Sequence, residues 1–227
     1  AFGDLGYYKA VSTMRRQPLP LNAPTSDQLM VMAIDNPYNP YGSRFYHATG
    51  AANTDGTSRV TGAPRTTTLT QLTIADLAPE TVETRADVIR LTGGLRGKLG
   101  ATWTWETSAF YNQVKGSDGA YPDVRESLLQ KSLQRTDASA FNPFGYTFKV
   151  VGGAVVADKP YSNPASVVDS FAETFARNAR SSISSGDLRA AGRLFSFWGI
   201  DAQAAAGLEH RREDLKDLRP PFSGENP

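Results

Sequence analysis

Cysteine is absent, and histidine occurs only twice, as His47 and His210. No disulfide framework and no thiolate metal site can be built. Histidine-based metal or triad chemistry has almost no material. No run approaches the ~20 apolar residues of a transmembrane helix. Neither charge sign dominates: 24 Lys and Arg oppose 23 Asp and Glu, leaving a net charge of +1. There is no basic excess to hold nucleic acid and no acidic tail. Gly-x-Ser-x-Gly, the phosphate-binding P-loop and His-Glu-x-x-His are all missing. No catalytic residue, cofactor site or metal site is expected, and an enzyme is not indicated.

The N-terminal stretch Ala1 to Lys9 has no initiating Met, basic segment or apolar segment, so it is not a signal peptide. It reads as chain inside a strand or loop. Pro220 to Pro227 reads as loop and lacks a final strand ending in an aromatic residue. Both ends are expected to be those of a fragment.

What is present is strand patterning. The chain has 227 residues and is 40% hydrophobic, with a mean hydropathy of −0.39. These averages suit a soluble domain. They suit a membrane barrel equally, because alternating lipid-facing and lumen-facing residues dilute each other. From Asp87 to Leu99, one parity holds Ile89, Leu91, Leu95 and Leu99. The other holds Arg90, Thr92, Arg96 and Lys98. That is a period of two, a strand with one apolar face.

After a turn at Gly100, Trp103, Trp105, Ala109 and Tyr111 share one parity. They stand against Thr104, Glu106, Ser108 and Asn112, with Phe110 breaking the pattern. Each run is about twice the usual 5–6 residues of a soluble strand and matches the 9–11 of a membrane crossing. Trp103 and Tyr111 would lie roughly 20 Å apart along a barrel axis, close to the spacing of two aromatic girdles.

A second hairpin repeats the plan. Leu188, Ala190, Gly192 and Leu194 oppose Asp187, Arg189 and Arg193. The chain turns near Trp198-Gly199, and Ala202, Ala204, Ala206 and Leu208 then oppose Gln203, Gly207, Glu209 and Arg211. His210 and Arg212 fall on the apolar parity, beyond the apolar band.

Long connections join these elements. A Pro-rich stretch (Pro18, Pro20, Pro24) leads to the apolar run Leu29 to Ile34, which reads as strand or short helix, and then to the compact turn Asn36-Pro37-Tyr38-Asn39-Pro40-Tyr41-Gly42. Residues 47–80 read as a long loop, with a short hairpin near Ser58–Val60 and Thr68–Thr70. Residues 115–163 form a second excursion, with a helical stripe of Val124, Leu128 and Leu129. Asn163 is expected to cap a short helix with Pro164 at its first position, continuing through Val167 to Phe175. Short turns at one end and long connections at the other are the plan of outer-membrane barrels. A soluble β-sandwich has turn signals every 8–12 residues.

On these residues the sequence resembles a TonB-dependent receptor, of the group with Asn-Pro-Phe-Gly motifs. The resemblance is carried by Asn36 to Gly42, by Leu95 to Gly100 with Trp103 to Glu106, and by Phe141-Asn142-Pro143-Phe144-Gly145. It continues through Ser185 to Phe195 and ends in Ala205 to Glu213, whose Ala-Gly-x-Glu-x-Arg-x-Glu strand is its most specific part.

The resemblance implies an all-β fold: an antiparallel transmembrane β-barrel segment, an incomplete barrel over residues 1–227, with long extracellular loops, short loop helices and no plug domain. It places the protein in the outer membrane of a Gram-negative bacterium. It implies active transport of a scarce solute such as an iron chelate (siderophore), a vitamin or an oligosaccharide. The implied partners are outer-membrane lipid, the protein's own plug domain, the TonB energy-coupling complex and a small-molecule substrate. No nucleic acid is expected.

Trp103, Trp105, Tyr111 and Trp198 are then candidate membrane-interface aromatics. Arg90, Arg96, Lys98, Glu106, Asp187, Arg189, Arg193, Glu209 and Arg211 are candidate lumen-facing charges. Tyr38, Tyr41 and Phe144 are candidate ligand-contact aromatics of the loops. A soluble or surface all-β glycan-binding protein and a passive porin-like barrel stand as alternatives.

Overall fold

The computed structural model describes residues 1–17, 21–22 and 30–223. Pro18, Pro20, Pro24 and Leu29 lie outside them. The elements in chain order are β1 (Phe2–Arg16), β2 (Leu21–Asn22), β3 (Met30–Met32), β4 (Tyr46–His47), β5 (Val60–Thr61), β6 (Thr67–Leu69) and β7 (Gln71–Leu72). Then come β8 (Glu80–Leu99), β9 (Trp103–Val124), α1 (Glu126–Leu133), β10 (Tyr146–Val151), β11 (Ala154–Pro160), α2 (Ala165–Val168), β12 (Ala172–Phe197) and β13 (Ile200–Leu218). Strand takes up 60% of the chain and helix 6%, with an antiparallel sheet, so the all-β expectation holds. The described residues form no closed barrel. The main sheet is open, in the order β1-β8-β9-β12-β13. No described helix is long and apolar enough to cross a membrane.

The chain divides into two compact units. The first comprises Ala1–Thr13, Glu83–Gly119 and Ala176–Pro220. The expected hairpins are its backbone. β8 turns into β9 at Gly100, whose φ is +67°. β12 turns into β13 at Trp198 (φ +49°) and Gly199 (φ +80°). Two consecutive positive φ values are the signature of a type I′ turn, whose twist suits a tight hairpin. Glycine adopts this readily, whereas Trp198 does so at a steric cost.

Leu188 pairs with Leu208, Ala190 with Ala206 and Gly192 with Ala204, as the parity predicts. The register then shifts between Arg193 and Phe195. Phe195 and Phe197 thereby face Ala202 and Ile200, so a β-bulge moves them onto the apolar face. The alternation read from sequence, which ended in Leu194, did not include that shift.

The second unit comprises Met14–Val82, Ala120–Phe175 and, among described residues, 221–223. Its core gathers Met30, Met32, Leu69, Leu72, Ile74, Leu77, Leu129, Leu133, Phe141, Val167, Val168 and Phe171. The run at residues 30–34 resolves as strand. β3 pairs with β6 on one side, Met30 to Leu69 and Met32 to Thr67. On its other side Gln130 of α1 acts as a substitute strand. Val31 N–H donates to Gln130 Oε1 (2.9 Å), and Gln130 Nε2 donates to Val31 O (3.0 Å). Phe171, fully buried, meets the Phe141 ring edge to face at 5.2 Å. Glu80, almost buried, accepts a two-pronged contact from Arg16.

Four asparagines hold this unit together, and each precedes a proline. Asn36, Asn39 and Asn142 are within 1% of full burial and Asn163 is 7% exposed. Asn36, Asn39 and Asn142 each accept from the N–H two residues on, at Tyr38, Tyr41 and Phe144 (2.9–3.0 Å). Their amide N–H groups donate to carbonyls elsewhere: Asn36 to Leu133, Asn39 to Ala33 and Arg65, Asn142 to Tyr146. Proline withholds one donor, and the asparagine closes the turn in its place.

Several expectations are corrected here. Val60 and Thr68 do not share a hairpin: β5 pairs in parallel with β4, and β6 pairs with β3. The apolar Met30 to Met32 strand outcompetes a local turn that would have buried nothing. Asn163 is not a helix cap. Its side chain accepts from Asn142 N–H and donates to Asp76 and the Asn142 carbonyl, and Pro164 stands at the cap position. That helix stops at Val168, because Ala172 already begins β12. The second excursion opens only after Val124, since β9 continues that far.

Asn39 donates to two carbonyls and accepts from Tyr41 N–H and Thr67 Oγ1. Asn39→Asp would set a carboxylate against both carbonyls. The expected loss is about 3 kcal/mol or more in this unit. Hydrogen exchange on the full-length protein would read it as faster exchange of the Ala33, Gly42 and Tyr46 amides. Unchanged protection would show that the asparagine does not carry the turn.

Candidate functional site

The polar face of the sheet gathers most of the candidate lumen-facing charges. Arg96, Lys98, Glu106, Asp187, Arg189 and Glu209 line one concavity of about 840 Å³ with an open side. Alternation places them: on β8, β12 and β13 these residues share the parity opposite to the leucines, and on β9 Glu106 takes the parity opposite to Trp103 and Trp105. Asp187 and Glu209 are direct cross-strand partners, so two carboxylates stand side by side. Their repulsion is offset locally. Ser108 Oγ donates to Asp187, and Arg189 Nε lies 3.2 Å from the same carboxylate. Arg96 and Lys98 supply further positive charge across the hollow. Among the described residues no group of three or more His, Asp or Glu side chains has the arrangement of a metal site.

The other three charges lie elsewhere on the sheet. Arg90 covers the ring of Phe110 at 5.8 Å. This explains the break in alternation: Phe110 sits on the polar face and is roofed by a guanidinium. Arg193 pairs with Asp201 at 3.4 Å near the Trp198-Gly199 turn. Arg211 pairs with Glu213, its neighbour two residues along the same face.

The candidate interface aromatics divide into two kinds. Trp103 and Trp105 are half-buried, each seated over a glycine of the adjoining strand. A methyl group at Gly192 would stand 2.5 Å from the Trp103 ring, and one at Gly97 would stand 2.9 Å from the Trp105 indole nitrogen. The glycine removes a side chain so that a large ring can lie flat on the sheet. Tyr111 is half-buried. Trp198, 90% exposed, stacks on Phe197 at 5.1 Å.

The loop aromatics are mostly committed to each other. The Tyr38 hydroxyl lies 2.7 Å from that of Tyr161. Burial, and then that hydrogen bond, push its pKa well above the usual phenol range. Phe144 meets Phe148 edge to face at 5.2 Å. Tyr41, stacked on Tyr46 and 55% exposed, still offers its ring to solvent. Tyr146 and Tyr121, 39% and 53% exposed, add aromatic surface that the sequence reading missed. Tyr146 lies just past the Asn142 to Gly145 turn, and that proximity was the available signal.

Gly192→Ala is expected to displace the Trp103 ring and cost about 1–3 kcal/mol. Gly207→Ala, whose methyl would meet only ordinary contacts at 3.5 Å, serves as the comparison. Thermal unfolding and tryptophan emission of the full-length protein would separate the two. Equal behaviour would show that Trp103 is not held by Gly192.

No protein-family model, curated protein or solved structure matches this chain.

Proposed function

We propose that this chain forms part of the wall and outer loops of a TonB-dependent receptor, an outer-membrane barrel that imports a scarce solute. One observation carries the reading. A sheet of five strands, four of them 19–26 residues long, bears exposed leucines on one face and charges on the other.

Leu91, Leu95, Leu188 and Leu208 are each at least 51% exposed. A soluble protein rarely leaves so broad an apolar face uncovered, whereas lipid covers such a face in a barrel. The connections support the same reading: two tight turns alternate with two connections that hold a folded core of their own. The sequence motifs supply the family, and with it a plug domain and an inner-membrane energy source. In this mechanism the loops and the plug's outer face capture the solute. Energy-driven rearrangement of the plug then opens a passage past the charged inner wall. The concavity around Asp187 and Glu209 belongs to that wall.

The test is made on the complete reading frame, expressed in a Gram-negative host. The product is expected in the outer-membrane fraction, resistant to carbonate extraction and migrating differently before and after boiling. Leu91→Arg should lose about 2–4 kcal/mol of barrel stability, whereas Thr92→Arg, on the other face, should lose under about 1 kcal/mol. A product that is monodisperse in water without detergent would overturn the reading in favour of a soluble all-β binding protein. Equal losses for the two variants would overturn the assignment of faces.

A further inference from the structure

The chain has no cysteine, so no disulfide can fasten one of its long connections to the other. Two tyrosines stand where such a fastener would act. Tyr38 belongs to the Asn36 to Gly42 turn, and Tyr161 directly follows β11, 123 positions along the chain. Between them run the whole of β8 and β9. Their hydroxyl oxygens are 2.7 Å apart, and their ring centroids are 5.0 Å apart with the planes tilted by 44°. The ring edges that flank the two oxygens therefore lie next to each other.

Both residues are half-buried. Tyr38 packs against the core of the second unit, and its N–H donates to the Asn36 side chain at 2.9 Å. The Tyr161 N–H donates to the Gly145 carbonyl at 2.9 Å. Each ring is thus anchored at its root and meets the other at its tip, while solvent reaches the pair. Groups held in contact react as if at a concentration far above that of free molecules. Among the described residues no other two tyrosine hydroxyls lie within hydrogen-bond distance. The Tyr41 and Tyr46 rings stack at 6.4 Å, with no bond between their hydroxyls.

Phenols so placed couple when a one-electron oxidant reaches them. Each ring gives up one electron and its hydroxyl proton and becomes a phenoxyl radical. Burial and the shared hydrogen bond keep the Tyr38 phenol protonated, so its proton leaves with the electron. The unpaired spin is shared between the oxygen and the ring carbons beside it. One such carbon of each ring joins the other, and the hydrogen on each moves to the oxygen of its own ring. The sum is one carbon–carbon bond formed, two protons released and two electrons passed to a peroxide, whose O–O bond breaks. Hydrogen peroxide takes up both protons and becomes two waters, whereas persulfate becomes two sulfates.

We infer that Tyr38 and Tyr161 are an oxidative modification site, at which a peroxide-derived one-electron oxidant joins them into a dityrosine link between the two long connections. The link closes over β8 and β9, so it restricts the unfolded chain as a long-loop disulfide would. It does not depend on the barrel reading.

The experiment exposes the folded full-length protein to persulfate and ruthenium tris(bipyridine) under visible light. Links in the monomer are then mapped by mass spectrometry after trypsin. Cleavage after Lys and Arg puts Tyr38 in the peptide 17–44, Tyr46 in 45–59 and Tyr161 in 150–177. The expected product is 17–44 joined to 150–177, two hydrogens lighter than their sum, with the blue fluorescence of dityrosine. Tyr38→Phe and Tyr161→Phe, which keep the rings, should each lose it. Tyr41→Phe, which removes the other tyrosine hydroxyl of 17–44, should retain it. In protein denatured by boiling in detergent before oxidation, the preference for this pair should vanish. A joined pair equally abundant in the denatured protein, or one that persists in Tyr38→Phe, would overturn the inference. So would a folded protein in which 17–44 is joined chiefly to 45–59, or one that forms no dityrosine.

Discussion

Antiparallel pairing over twenty residues imposes one constraint from which the rest of the sheet follows. Each backbone must meet its neighbour at every second residue, so side chains alternate rigidly between two faces for the whole length of the strand. A single chemical decision at each position then acts collectively. Leucine at positions 91, 95, 188 and 208 makes one surface apolar. Arg96, Glu106, Asp187 and Glu209, set one residue out of phase with their apolar neighbours, make the other surface a hollow of opposed charges. The same rule brings Arg85, Lys115, Arg180 and Lys216, from four strands, around one concavity. None of these groupings is local in sequence; registration makes them neighbours. The bulge after Arg193 is the exception that demonstrates the rule. One extra residue exchanges the faces, and Phe195 and Phe197 join the apolar side.

The second unit obeys a different economy. Its strands are two to seven residues long, too short to satisfy much backbone by ladders. Side-chain amides complete the work. Asn36, Asn39, Asn142 and Asn163 each bridge separate stretches of main chain, and Gln130 and Gln134 stand in for a missing strand beside Val31. Buried amides of this kind are costly unless every donor and acceptor is met. The unit's folded shape therefore depends on a few residues whose chemistry cannot be exchanged for bulk.

The sequence was legible where periodicity is the cause of structure. Both long hairpins and their turns at Gly100 and Trp198-Gly199 follow from alternation and turn residues, which also set the charges on one face of each strand; their gathering around one hollow needed the register between strands. Asn-Pro steps announced turns, though not their burial. Tertiary pairing was illegible. Nothing local distinguishes Val60 pairing with Tyr46 from Val60 closing a hairpin, and nothing local marks Asn163 as a partner of Asp76 rather than a cap. Strand length was also understated. Beyond Val114 the alternation of hydrophobicity stops, because Lys115 to Gly119 carries no apolar side chain on either face, while the strand continues to Val124. The gathering of Arg85, Lys115, Arg180 and Lys216 around one concavity escaped notice for the same reason. His210 and Arg212 were seen to fall on the apolar parity, yet the grouping of Lys216 with Arg180 and Lys115 exists only across strands.

The Trp198-Gly199 turn also bears on the order in which contacts form. Only two residues separate Phe197 from Ile200, so these can meet after closing the shortest of loops, against the steric cost of Trp198's positive φ. Pairing can then advance outward one rung at a time, each rung adding contacts without a further long closure. The apolar rungs from Ala190 to Leu208 come early in that progression. The highly charged rungs, ending at Asn178 with Leu218, come last. A chain that zips in this direction pairs its most apolar segment first and leaves its most charged segment as the open end.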